Sequence, residues 1–348
     1  MNQARHIQFG FCLPVFAMPG GRLFRTPAYE RLDARVTFNL GVTADRLGFD
    51  SLWVADHLFL GRDDAILEGW TTLSALAGAT ERAKLGLIHM AHFLRHASIT
   101  AKMSATLDQL SGGRLIHFVD GGNRPEEFQR YGLPWEEPVE ERIVHLVEEL
   151  ELTKALWTQD GPVDYDGRFH KLQGAPFMPK PVQQPHPPIW LGEPKPAMLD
   201  AVACHAQGWN SVPVPVEEME RRLGGLREAC ERAGRDYNEI EKSLEMQILV
   251  APHLDGVRAK LRAMLALNPP ESEDPQMTAF LSGSTDTPPD ALTRMTLVGT
   301  SEQVTDQIQA YVDIGVTHFM WWFLDVPDES GMRLFIDEVA PQFQSYKT

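Results

Sequence analysis

Eight short apolar runs recur along the chain, each followed by a longer segment of helical period, and together they leave few folds open. They are IQFGFCL (7–13), the core of LGFDSLWVADHL (47–58), KLGLIHMA (84–91) and RLIHFVD (114–120) in the first half. PPIWLGE (187–193), GWNSVPV (208–214), EMQILVA (245–251) and THFMWWFL (317–324) follow in the second. None alternates strictly between apolar and polar residues, so each reads as a strand covered on both faces, as in a parallel sheet. Helices are expected over 35–47, 70–80, 98–111 and 139–157. In the third, Ile99, Met103, Leu107 and Leu110 share a stripe, Ser98 offers a cap and Gly112–Gly113 a stop. In the fourth, Val139, Ile143, Leu146, Val147 and Leu150 form the apolar face.

Eight βα units in 348 residues predict an α/β fold, a single (β/α)8 TIM barrel spanning 1–348. An open doubly wound sheet is the alternative. It would call for a GxGxxG or GxxxxGK[ST] fingerprint, and neither occurs. Three insertions interrupt the pattern: 14–33 after strand one, 160–188 before strand five and 268–290 after strand seven. The second holds a small hairpin around Asp166–Gly167. The third is polar, Pro-rich and without a helical stripe, and is expected to be a mobile lid loop.

Acidic residues outnumber basic ones 48 to 32, a net charge of −16, which disfavours a nucleic-acid surface or an anionic membrane. Cys12, Cys204 and Cys230 are odd in number and widely spaced, so no disulfide framework or zinc ribbon is expected and a cytoplasmic setting is. The first 21 residues have a basic residue before an apolar run, but Gln8 and Pro14 interrupt it and no A-x-A site follows. They are read as leading into strand one. No run approaches the roughly 18 apolar residues of a membrane span.

Polar groups stand where the strands end, the rim on which barrels build their sites. Strand two delivers Asp56 and His57; strand three delivers His89, Met90, Ala91 and His92. Strand four delivers Asp120, Gly121, Gly122 and Asn123, with Glu127 within reach, and strand six delivers Trp209 and Asn210. Local capping or packing would explain Asp56 or His57 taken singly. His89, His92 and His96 do not share one face and match no HxH or HExxH pattern, so no metal site is assigned. No GxSxG elbow or catalytic-cysteine signature is present.

Taken in order, GFDSLWVADHL, TTLSALAGATERAKLGL, RHASITAKMSATLDQLSGGRL, EEFQRYGLPW, DGRFHKL, PKPVQQPHPPIWLG, AQGWN and GTSEQVTDQIQAYVDIGVTHFMWWFLD resemble the bacterial luciferase-like flavin-dependent oxidoreductases. The resemblance covers nearly the whole chain and implies the same barrel. It implies either reduced FMN with O2 or the deazaflavin coenzyme F420. By resemblance, Asp56 and His57 lie beside the isoalloxazine ring. His89, Met90 and Ala91 form a ledge behind it, where relatives often have a non-proline cis peptide. Asp120 to Asn123 line the ring or ribityl chain. The family's Gly-Gly phosphate loop reads Gly192–Glu193–Pro194–Lys195 here; Gly192 and Lys195 suit an anion, whereas Glu193 adds a like charge. A capping box of Thr300 and Gln303 opens a second candidate phosphate contact.

The preferred expectation is an FMN-dependent monooxygenase acting on a small organic substrate, with a separate flavin reductase as implied partner and a homodimer as implied assembly. His57 is expected to transfer the proton, with Asp56 orienting it. Phe16, Trp209 and Trp321 suggest a partly hydrophobic substrate. An F420-dependent dehydrogenase or reductase is the alternative, and a flavin-binding protein without turnover is the third reading.

Overall fold

Seven of the eight barrel strands have ordinary lengths and one is twice as long as most, which shapes the mouth. The computed structural model describes residues 7–344 other than 21 and 273, and not the side chain of 344; the reading of residues 1–6 lies outside them. The strands are Gln8–Cys12, Ser51–Val54, Lys84–Leu87, Leu115–Asp120, Ile189–Gly192, Gly208–Ser211, Glu241–Val250 and His318–Phe323. Each pairs in parallel with the next, and the eighth pairs with both the seventh and the first, closing the barrel. Strand three breaks after Leu87 at a cis Ile88–His89 peptide and resumes as Met90–Ala91 beside Val119–Asp120.

Strand seven begins four residues earlier than expected, at Glu241. Its first half pairs with strand six and its second half outruns that partner. An additional strand, Thr296–Gly299, fills the vacated edge by pairing with Gln247–Val250. This strand was not anticipated: four residues opening onto a helix cap are too short a run to stand out.

The barrel is filled by large rings. Trp53 packs against Phe118, Trp190 and His318, which come from three other strands. Glycine at 10 and 86 makes this possible, because a Cβ at either would overlap the Trp53 ring. These inward rings bury wholly from water, so the barrel is a packed core rather than a pore.

Outside the barrel, helix Ala97–Ser111 corrects an expectation. The Ile99, Met103, Leu107 and Leu110 stripe is not its buried face: Ile99 is 57% and Leu110 is 72% exposed. The buried face is instead Ala97, Thr100, Ala101, Ser104, Ala105 and Leu107, because small residues let the helix approach the sheet closely. His96, not Ser98, caps it, accepting from the Ser98 amide at 3.3 Å. Helix Val139–Thr158 buries the expected Ile143, Leu146 and Leu150. The hairpin Val163–Asp166/Lys171–Ala175 also forms where expected, pinned by Glu148, which accepts from the amides of 168, 169 and 170.

The third insertion is not featureless. Helix Pro275–Ser282 starts with Asp274 as cap and proline in its first turn. Phe280 anchors it, fully buried with Leu23, Val257, Leu261, Met264 and Leu292 in a second apolar cluster. One buried ring in a polar segment carries no periodic signal, so sequence pattern missed the helix. No helix among the described residues is long and apolar enough to cross a membrane.

Candidate active site

At the carboxyl end of strand two the chain leaves the core as Ala55, Asp56 and His57. The two ionisable side chains separate at once. Asp56 is buried and receives two hydrogen bonds from Arg95, at 2.7 and 3.0 Å. Burial raises its pKa, and the Arg95 guanidinium only partly opposes that. His57 instead places Nδ1 3.0 Å from Oε2 of Glu127. The other oxygen of Glu127 accepts from the Leu58 amide at 3.2 Å, and Arg124 lies 3.6 Å away. Asp56 therefore does not orient His57; Glu127 does. Among the described residues, no hydrogen bond engages Nε2 of the imidazole.

A second assembly crosses the mouth. Nδ1 of His89 contacts Asp120 at 3.1 Å, and Nε2 lies 3.5 Å from Glu245 on strand seven. Glu245 also meets Arg25 at 3.1 Å and accepts from the Trp322 indole at 2.6 Å. Burial opposes a charged His89, but contacts with Asp120 and Glu245 outweigh it and raise its pKa to about 10. Burial also opposes the Glu245 carboxylate, which Arg25 and His89 nonetheless bring down to about 2. His89 is thus an imidazolium fixed between two carboxylates, not only part of a backbone ledge.

The other expected residues scatter more. Met90 is buried, its sulfur accepting from Trp70, and Ala91 stands beside Asp120. The Asp120 carboxylate accepts from the Gly122 amide at 2.8 Å, Gly121 O accepts from Arg142 at 2.9 Å, and Asn123 is exposed. His92 pairs with Glu149 at 2.7 Å, whereas His89 pairs with Asp120 and Glu245. Phe16 faces Trp322 inside the mouth. Trp321 lies on the opposite face, stacked on Phe319 and edge-on to Phe335, so alternation put the wrong member of the Trp321–Trp322 pair on the rim. Trp209 likewise alternates with the inward Asn210, which bonds Ser243, and its indole donates to the Glu193 carbonyl at 3.0 Å.

At the loop after strand five, Glu193 takes φ +71°, the left-handed backbone that glycine adopts without strain. Gly192 is buried just before it, and the Glu193 side chain pairs with Lys195 at 2.7 Å. The loop thus keeps a glycine-like shape while its own carboxylate neutralises its lysine. The Thr300–Gln303 capping box forms, but Glu302, Asp306, Asp337 and Glu338 surround that helix start, which makes it a poor phosphate contact.

A model of the luciferase-like monooxygenases matches residues 12–318. The chain belongs to the luciferase-like monooxygenase family. It is an oxidoreductase. Similar curated proteins include the phthiodiolone/phenolphthiodiolone dimycocerosates ketoreductase of Mycobacterium tuberculosis, 28% identical, with 78% of this chain and 83% of that protein covered. The F420-dependent glucose-6-phosphate dehydrogenase of Microbacterium testaceum is 26% identical, with 90% and 95% covered. Among solved structures, an F420-dependent secondary alcohol dehydrogenase superposes with TM-score 0.73 at 22% identity, covering 96% and 98%. A long-chain alkane monooxygenase reaches TM-score 0.79 at 18% identity, covering 98% and 91%. At such identity these two structures speak for the barrel alone. Members of this luciferase-like family use FMN or coenzyme F420.

Glu127, Arg95, Glu245 and Arg25 are the functional candidates that sequence reasoning underused. Only Glu127 carried a signal, its position seven residues past strand four.

Proposed function

We propose that the protein transfers hydride between coenzyme F420 and a small alcohol or carbonyl substrate. The observation that carries this reading is the His57–Glu127 pair, 3.0 Å apart at the end of strand two. The curated ketoreductase and F420-dependent dehydrogenase relatives support it. Polar groups of the mouth suit a planar heterocycle: Arg25 Nε is buried without a hydrogen-bond partner, and His89 Nε2 and Glu245 Oε2 meet only as a 3.5 Å ion pair. When bound, the coenzyme accepts or supplies the hydride. The protein supplies the proton. As a carbonyl becomes an alcohol, His57 gives a proton from Nε2 to the substrate oxygen, and Glu127 steadies the imidazole through Nδ1. In the reverse direction the same atom receives it.

The second reading is the reduced-FMN monooxygenase, supported by the glycine-like backbone at Glu193 beside a lysine. Anaerobic tryptophan-fluorescence titrations with FMN, reduced FMN and F420 separate the two. Selective F420 binding, followed by turnover without oxygen, is expected. Selective binding of reduced FMN with strictly oxygen-dependent turnover would replace hydride transfer with oxygenation and bring in a flavin reductase. Glu193→Gly frees Lys195 and should tighten FMN relative to riboflavin about tenfold, as a charge-assisted phosphate contact would. Unchanged selectivity would move the phosphate elsewhere.

Exposed Ile99, Leu110, Met178 and Val182 support a homodimer, and the three free cysteines support a reducing, cytoplasmic setting. Sedimentation of the full chain tests the first. A monomer at micromolar concentration would reject it.

A further inference from the structure

The loop after strand one does two jobs at neighbouring residues. Arg25 drops into the barrel mouth onto Glu245, its guanidinium lying 4.9 Å from the Phe24 ring and 5.0 Å from the Trp322 ring. Phe24 lines a cavity of about 600 Å³, a size typical of small-molecule sites. The cavity lies between this loop, the turn at Gly61–Arg62 and the end of helix Leu254–Leu267. Phe24 and Arg25, neighbours in sequence, thus line the cavity and the mouth respectively.

Its lining divides by chemistry. Met18, Phe24 and Leu267 supply apolar surface, while Arg22, Arg62 and Asn268 supply polar groups. No carboxylate lines it among the described residues. Arg62 donates to the Glu30 carbonyl at 3.0 Å, and among the described residues neither it nor Arg22 is within ion-pair distance of a carboxylate. Arg25 in the mouth, by contrast, is paired with Glu245 at 3.1 Å. A cavity of similar size, about 510 Å³, has the opposite character, lined by Glu302, Asp306, Asp337 and Glu338. Two uncompensated guanidinium groups beside apolar side chains are suited to a molecule with an apolar body and an anionic end.

We propose that this cavity recognises the substrate, and that the substrate is an amphipathic organic anion: a carboxylate, sulfonate or phosphate ester on an apolar body. The anionic end rests on Arg22 and Arg62, and the apolar body lies along Phe24 toward the mouth. The proposal rests on the reading of the mouth as the redox site. It names a substrate class that the His57–Glu127 geometry leaves open.

Two fluorescent dyes with one shared body test it. 8-Anilinonaphthalene-1-sulfonate carries an anion; N-phenyl-1-naphthylamine is the same skeleton without it. Both are titrated into the full chain, with and without saturating reduced F420, and into Arg22→Gln, Arg62→Gln and the double variant. Circular dichroism confirms that the exposed substitutions leave the fold intact. The sulfonate is expected to bind tighter than the neutral dye, and the double variant should weaken it roughly tenfold while moving the neutral dye less than about twofold. Added salt should weaken the sulfonate alone. Equal affinity for the two dyes, indifference to both arginines, or no binding of either dye overturns the proposal. So does competition by F420, which would make the cavity part of the coenzyme site. If F420 and FMN both fail to bind while the sulfonate still needs the arginines, the redox reading fails and the anion site stands. If a coenzyme binds and the sulfonate ignores the arginines, only the anion site fails.

Discussion

His57 and His89 each meet a carboxylate near 3 Å, at 3.0 and 3.1 Å, and their side chains are almost equally exposed, 19% and 16%. Burial does not separate them; the second carboxylate does. His57 has Glu127 on one nitrogen and an open edge on the other. His89 lies between Asp120 and Glu245, and the latter is itself held by Arg25 and Trp322. The comparison teaches that a histidine suited to moving protons needs a free nitrogen, whereas one clamped at both ends is a fixed charge. In this barrel the two kinds stand at the ends of adjacent strands.

Four substitutions or conditions can break or sharpen that distinction. The largest effect is expected for His57→Ala, which should lower turnover by about 10²- to 10⁴-fold while changing unfolding free energy by less than about 1 kcal/mol. Steady-state rates beside urea denaturation measure both, and retained turnover would remove His57 from proton transfer. Glu245→Leu should do the reverse in emphasis. It strands Arg25 and His89 without their shared partner and should destabilise the fold by about 3–5 kcal/mol. A midpoint of denaturation within error of the parent would show that the clamp is not structural.

The third test is pH. The folded pKa of His89, about 10, lies above the ordinary 6.5. Its contribution is therefore complete below pH 6.5 and lost as pH rises toward 10. The stability difference between the parent and His89→Gln should be greatest below pH 6.5, on the order of a few kcal/mol, and shrink steadily above it. Glu245 acts oppositely: its stabilisation is present above pH 4.5 and lost as pH falls toward 2. A parent–variant difference that grows between pH 7 and 10 would contradict an imidazolium at position 89. The smallest effect is expected for Glu127→Gln, which keeps the size of the side chain and removes the charge. Turnover should fall about 10- to 100-fold with little change in substrate KM, since orientation is weakened but not abolished. A change in KM alone would recast Glu127 as a substrate contact.

Much of the architecture was legible because it is written in local pattern. Runs such as IQFGFCL and RLIHFVD are largely apolar on both faces and too short for a helix, the pattern of a covered parallel strand. The hairpin at Asp166–Gly167 and the stop at Gly112–Gly113 were legible for the same reason, since turn chemistry acts over a few residues. Helix Ala97–Ser111 shows the limit. Its period was readable and its buried face was not, because Ala101, Ser104 and Ala105 pack closely while Ile99 and Leu110 are left outside. Helix Pro275–Ser282 shows another, as one anchored Phe280 is enough to hold it.

The sequence by itself determined the succession of strands and helices, and hence that Asp56, His57, His89 and Asp120 would surface together on one rim. That follows from backbone periodicity and burial, which are properties of neighbouring residues. Only the tertiary structure decided their partners. Glu127 reaches His57 from 70 positions away, Arg95 takes Asp56 from 39 away, and the backbone of Arg25 reaches Gln247 across 222. Such pairings depend on where loops from different strands cross the mouth, a distance in space on which no local period reports. Only the fold therefore decided that His89 meets two carboxylates and His57 one.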